Sequence, residues 1–82
     1  MDKASVMVRL QDIFRAVFDD PAIVLTPETT ADDIPQWDSM NHIMIVVEAE
    51  RQFDLKFQTA EIEELRNVGD FVMLILDKQM KS

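Results

Sequence analysis

The stretch Gln36-Trp37-Asp38-Ser39-Met40-Asn41-His42 brings a carboxylate, a hydroxyl and the chain's only histidine within about one turn if it opens a helix. A hydrolytic triad is the first chemistry such a trio suggests. A triad, however, needs a base oriented by a third group and an oxyanion site, normally assembled from separated segments in a larger scaffold. His42 therefore reads as a half-exposed helix residue. Ser39 has two simpler uses. As an N-cap its hydroxyl accepts from an early backbone N–H, a bond whose loss typically costs about 1 kcal/mol. Asp38 can cap equally well, and Ser39 would then occupy the first helical position. There, unpaired N–H groups and the positive end of the helix dipole would stabilise an attached phosphate. The acidic pairs Asp19-Asp20, Asp32-Asp33 and Glu63-Glu64 lack the spaced ligands and the glycine of a calcium loop, and read as solvated charge.

Composition narrows the chemistry further. Sixteen acidic residues against eight Lys and Arg give a formal charge of −8, which opposes approach to nucleic-acid backbones or anionic membranes and favours partners with basic surfaces. The same charge makes the fold repel itself, so added salt or divalent cations are expected to raise the melting temperature; a flat salt series would contradict this. With no cysteine there is neither a disulfide framework nor a thiol of the protein's own, so any thioester chemistry needs an imported sulfur. The N-terminal stretch MDKASVMVRL has no signal-segment pattern, and no apolar run approaches a membrane span. The expectation is a cytoplasmic monomer of one domain, residues 1–82, whose 48% hydrophobic content suffices for a modest core.

These residues must be held by helices. Val6, Leu10, Ile13, Phe14, Val17 and Phe18 form an amphipathic stripe over residues 3–18, with Asp2 or Ser5 as cap and Asp19-Asp20-Pro21 as the stop. Residues 19–38 hold all three prolines and no sustained periodicity, a long connection anchored by Leu25, Ile34 and Trp37. Trp37 reads as a loop aromatic filling space. Residues 39–53 predict a second helix; the run IMIVV would suit a buried strand, but it flows into Glu48-Ala49-Glu50-Arg51-Gln52 without a turn residue. Asp54 can take the left-handed conformation that ends it. Thr59 is expected to cap a short third helix through Leu65. Asn67 and Asp70 resemble a capping box for a fourth, with Phe71, Leu74, Ile75 and Met80 inward and Gly69 in its first turn. The sum is an all-α, small four-helix bundle: three principal helices, a short third one, and a long loop between the first two.

The second helix carries two apolar stripes. At about 100° per residue, Ile45, Val46, Ala49 and Phe53 share one side and Met40, Ile43, Met44 and Val47 the other. A domain this small cannot cover both, so one is left for a partner. Periodicity does not say which. The stripe beginning beside Ser39 holds two methionines, side chains that adapt to several partners, although a methionine stripe equally suits a core. Glu50 and Arg51 border it and can tune partner choice.

Asp38-Ser39-Met40, followed by an apolar helix ending Glu50-Arg51-Gln52-Phe53, resembles the Asp-Ser-Leu signature of acyl carrier proteins, in which the serine bears 4′-phosphopantetheine. Trp37 makes a Trp-Asp-Ser variant similar to carriers of specialised polyketide and nonribosomal peptide pathways. The resemblance spans nearly the whole chain: its length, acidity, long loop, FDLKF, and NVGDFV at the last helix. It implies a carrier, not an enzyme, that holds acyl or aminoacyl thioesters on an arm at Ser39. It also implies that Met40, Ile43, Met44 and Val47 face partners: a phosphopantetheinyl transferase, loading enzymes, and downstream synthases or transferases. Met40 replaces the usual leucine. Asn41, Met44 and Arg51 stand where fatty-acid carriers often show acidic residues, which favours a dedicated pathway over housekeeping fatty-acid synthesis. The rival from another class is an unmodified helical interaction module that binds a partner through the Met-rich face, with Ser39 only capping.

Overall fold

Helix α1, Lys3–Phe18, starts where Asp2 accepts the Ser5 backbone N–H at 2.8 Å. That bond holds the Asp2 carboxyl below its ordinary pKa. The cap's contribution is therefore present above the unfolded carboxylate range and is lost as pH falls through the lowered value. Asp19 ends the helix at φ 52°, a left-handed stop open to Asp at modest cost. The computed structural model describes residues 2–81, and among them the regular elements are four helices: α1, α2 (Ser39–Phe53), α3 (Thr59–Glu63) and α4 (Val68–Lys81).

α1 buries Val6, Leu10, Ile13 and Phe14 and packs against α2 and α4. From α2 the core receives Ile45, Val46, Ala49 and Phe53; from α4 it receives Val68, Phe71, Val72 and Ile75. Met80, expected to face inward, is 86% exposed. Nine residues beyond Phe71, it has turned through about 180° relative to that buried ring. Leu74 is half-buried.

The connection between α1 and α2 lies on the core through Leu25, Ile34 and Trp37 as expected, and through Ile23. Polar bonds fix its course: Gln11 Oε1 accepts the Leu25 N–H at 3.0 Å, and Arg15 Nε donates to the Ile23 carbonyl at 2.7 Å. Buried Thr29 accepts the Thr26 N–H through its hydroxyl at 2.9 Å. The same loop completes the start of α4. Thr29 O accepts from Val68 N–H and Pro27 O from Gly69 N–H, both at 2.9 Å, while Asn67 Oδ1 takes the Asp70 N–H at 2.8 Å. The expected capping box is only half reciprocal, because the Asp70 carboxylate reaches the Arg66 N–H at 3.1 Å instead of that of Asn67.

Gly69 is required by this approach. A Cβ there would stand 2.9 Å from the Pro27 carbonyl oxygen, a backbone atom already held in a hydrogen bond. Gly69→Ala should therefore lose more from displacing the loop than it gains in helix propensity, and a net destabilisation of roughly 1–2 kcal/mol is expected in urea melts. Equal or greater stability would show that the loop yields freely.

α3 departs from the expected bounds. Thr59 is its first helical residue rather than its cap; the preceding Gln58 is the cap, with its N–H bonded to Glu61 Oε1 at 2.8 Å. The helix ends at Glu63 instead of Leu65, whose N–H turns back to the Ile62 carbonyl at 3.3 Å. Glu61 also meets Lys78 Nζ at 2.8 Å, tying α3 to α4, and Phe57 meets Phe71 edge-on.

Candidate functional site

At the start of α2 the cap is Asp38: its Oδ1 accepts the Asn41 N–H at 2.8 Å, and its carbonyl accepts from His42 N–H at 2.8 Å. Ser39 is the first helical residue and is exposed. The contrast with α4 is informative. There the loop supplies acceptors to the first two helical N–H groups, whereas among the described residues no protein acceptor bonds the N–H groups of Ser39 and Met40. The start of α2 thus offers a solvent-facing hydroxyl beside unpaired donors at the positive end of a fifteen-residue helix.

The polar frame around Ser39 is held from the core. Trp37 is buried, meets Phe14 edge-on at 4.9 Å between centroids, and donates its indole N–H to His42 Nδ1 at 3.0 Å. Asn41 Nδ2 donates to the Gln36 carbonyl at 2.7 Å. These bonds pull residues 36 and 37 back against the first turn. Ser39 opens onto a cleft of about 850 Å³, whose walls include His42, Ile43, Ile62, Leu65 and Arg66. His42 is half-buried, and its Nδ1 is occupied by Trp37 while the Asp38 carboxylate caps the helix, so Asp38 does not orient the imidazole as a triad requires. Neither Trp37's hydrogen bond nor the cleft was legible from spacing; the bond depends on how the loop meets α2, and the cleft on how α3 stands beside them.

The two stripes of α2 separate completely. Ile45, Val46, Ala49 and Phe53 are buried, while Met40, Ile43, Met44 and Val47 are between 55% and 76% exposed. Arg51, one turn past Val47, continues the exposed stripe and lies 3.8 Å from Glu48. Glu50 is half-buried, and its Oε2 accepts the Phe57 N–H at 2.8 Å, so it fastens the turn after α2. Among the described residues no helix is long and apolar enough to cross a membrane, and no cluster of metal-binding side chains occurs.

No protein-family model matches the chain. The acyl carrier protein of Acidothermus cellulolyticus is 29% identical over 72 residues, 88% of this chain and 86% of its own length. The solution NMR structure of a holo acyl carrier protein from Geobacter metallireducens superposes with a TM-score of 0.87 at 43% identity, over 93% of this chain and 87% of that one. The chain belongs to the acyl carrier protein family. The family resemblance carried by Asp38-Ser39-Met40 and the four-helix expectation are thereby both met, and membership makes the chain a carrier rather than an enzyme.

Proposed function

We propose that the chain, as one carrier domain, bears 4′-phosphopantetheine on Ser39, carries acyl or aminoacyl intermediates as thioesters, and presents them to partner enzymes. The observation that carries this reading is the exposed hydroxyl at the first position of α2, in a chain 43% identical to a protein described as holo. The residues fit the group. A phosphodiester on Ser39 would lie beside the unpaired N–H groups of Ser39 and Met40, where the helix dipole favours an anion. When bound, the arm supplies the thiol that a chain without cysteine lacks. A tether also raises the effective concentration of its cargo at each partner. Ile43, Ile62 and Leu65 in the adjoining cleft offer an apolar wall against which a cargo can rest. Intact mass after incubation with coenzyme A and a phosphopantetheinyl transferase tests the attachment.

The partner face in this reading is Met40, Ile43, Met44 and Val47, with Arg51 at its end and Glu50 beside it. Partners bring an apolar patch to the stripe, and basic surfaces around that patch are drawn by the charge of −8. Met44→Glu should leave the melting free energy within about 0.5 kcal/mol, because the side chain is already in water. Loading by a cognate enzyme should fall roughly tenfold or more, since a carboxylate replaces an apolar contact worth about 1.5–3 kcal/mol. A large loss of stability with unaltered loading would place the stripe in the core instead.

A further inference from the structure

We propose that Trp37 locks His42 in one tautomer, so that the His42 Nε2–H is a hydrogen-bond donor to the phosphodiester at the root of the arm. This rests on the carrier reading of Ser39. The lock begins in the core: Trp37 is buried and held edge-on by Phe14. An indole N–H can only donate, and its acceptor is His42 Nδ1 at 3.0 Å. Accepting that bond requires a bare Nδ1, so the neutral ring keeps its proton on Nε2. The two ring planes lie 29° apart with centroids at 6.0 Å, the side-by-side arrangement that an edge-to-edge N–H···N bond gives, and that bond sets the direction of the imidazole. Ring position and proton position are therefore both set by a residue that belongs to the loop.

His42 follows Ser39 by three residues, a spacing that places side chains side by side on a helix, with Cβ atoms roughly 5–6 Å apart. Both residues line the same cleft. Asp38 lines it too, but its carboxylate already caps the helix and offers no donor to an anion. The Thr59 hydroxyl and Arg66 are further donors on the cleft wall, carried by α3 and by the α3–α4 connection and not by the helix that bears the serine. The backbone N–H groups of Ser39 and Met40 and the imidazole N–H together would hold the phosphodiester from two sides, fixing the direction in which the arm leaves the helix.

The test uses the wild type, His42→Leu, His42→Gln and Arg66→Gln, each converted to the holo form with coenzyme A and a phosphopantetheinyl transferase and verified by intact mass. Nitrogen NMR of the wild-type ring is expected to show a bare Nδ1 and a protonated Nε2, with the Nε2 resonance displaced when the arm is attached. The phosphorus resonance of the phosphodiester should move in His42→Leu, return toward the wild-type position in His42→Gln, whose amide offers an N–H at similar reach, and stay in place in Arg66→Gln. A wild-type ring protonated on Nδ1, an Nε2 resonance indifferent to the arm, or a phosphorus line that moves only in Arg66→Gln overturns the proposal. The wild-type spectra decide the matter even if a variant fails to fold. A wild type that gains no mass overturns the carrier reading itself, so the two failures are told apart before any spectrum is recorded.

Discussion

Ser39→Ala is expected to leave an incubation with coenzyme A and a promiscuous phosphopantetheinyl transferase at its starting mass, while the unaltered chain gains one phosphopantetheine. The loss should be complete rather than graded, because the transferred phosphoryl group needs this oxygen as its acceptor and alanine has none. The other serines, Ser5 and Ser82, stand outside the Asp-Ser-Met motif. Stability should hardly respond. Asp38 is the cap, with its bond to the Asn41 N–H intact in the variant, and alanine is a better helix former than serine by a few tenths of a kcal/mol. An inert but fully folded variant therefore separates attachment from folding. Equal mass gain in both chains would move the site elsewhere; no gain in either would leave the unmodified interaction module as the better account.

The second large effect is expected from Phe14→Ala. Phe14 is fully buried, meets Phe18 at 5.5 Å and Trp37 at 4.9 Å between ring centroids, and so joins α1 to the end of the long loop. Truncating a buried phenylalanine costs about 3–5 kcal/mol. A chain of 82 residues has roughly 4–12 kcal/mol in total at ~0.05–0.15 kcal/mol per residue. The variant should lie near its unfolding midpoint or melt far below the wild type, as followed by circular dichroism in urea. A loss under about 1 kcal/mol would mean that the loop and α1 are not joined through this ring.

The bounds of α1 and α2 were legible because their signals are local. Asp2 and Asp38 cap through the N–H three residues on, Asp19 and Asp54 stop the helices in the left-handed region, and the apolar stripes between them keep helical spacing. The same periodicity found both faces of α2 but could not choose between them; that choice is made by where α1 and the loop pack. The sequence was silent where a contact depends on how the irregular loop folds back on the helices. Burial of Ile23 and Thr29, the cleft beside Ser39 and the bond between Trp37 and His42 all arise from the path of a loop without regular structure. At α3 the local signal misled, since Glu61 reaches back to the N–H of Gln58 and draws the start of the helix one residue earlier than a Thr59 cap would.

Four large apolar side chains left in water on α2 have a consequence for the molecule in bulk. Two copies meeting stripe to stripe would bury them, and the hydrophobic gain from such a clasp does not depend on who the neighbour is. What opposes it is Coulombic: each copy carries −8, and that repulsion acts over a Debye length of about 8 Å at physiological ionic strength before the stripes touch. In the carrier reading the acid excess would filter encounters by sign, opposing a clasp between sister molecules and leaving the sticky flank of α2 to proteins of the opposite charge.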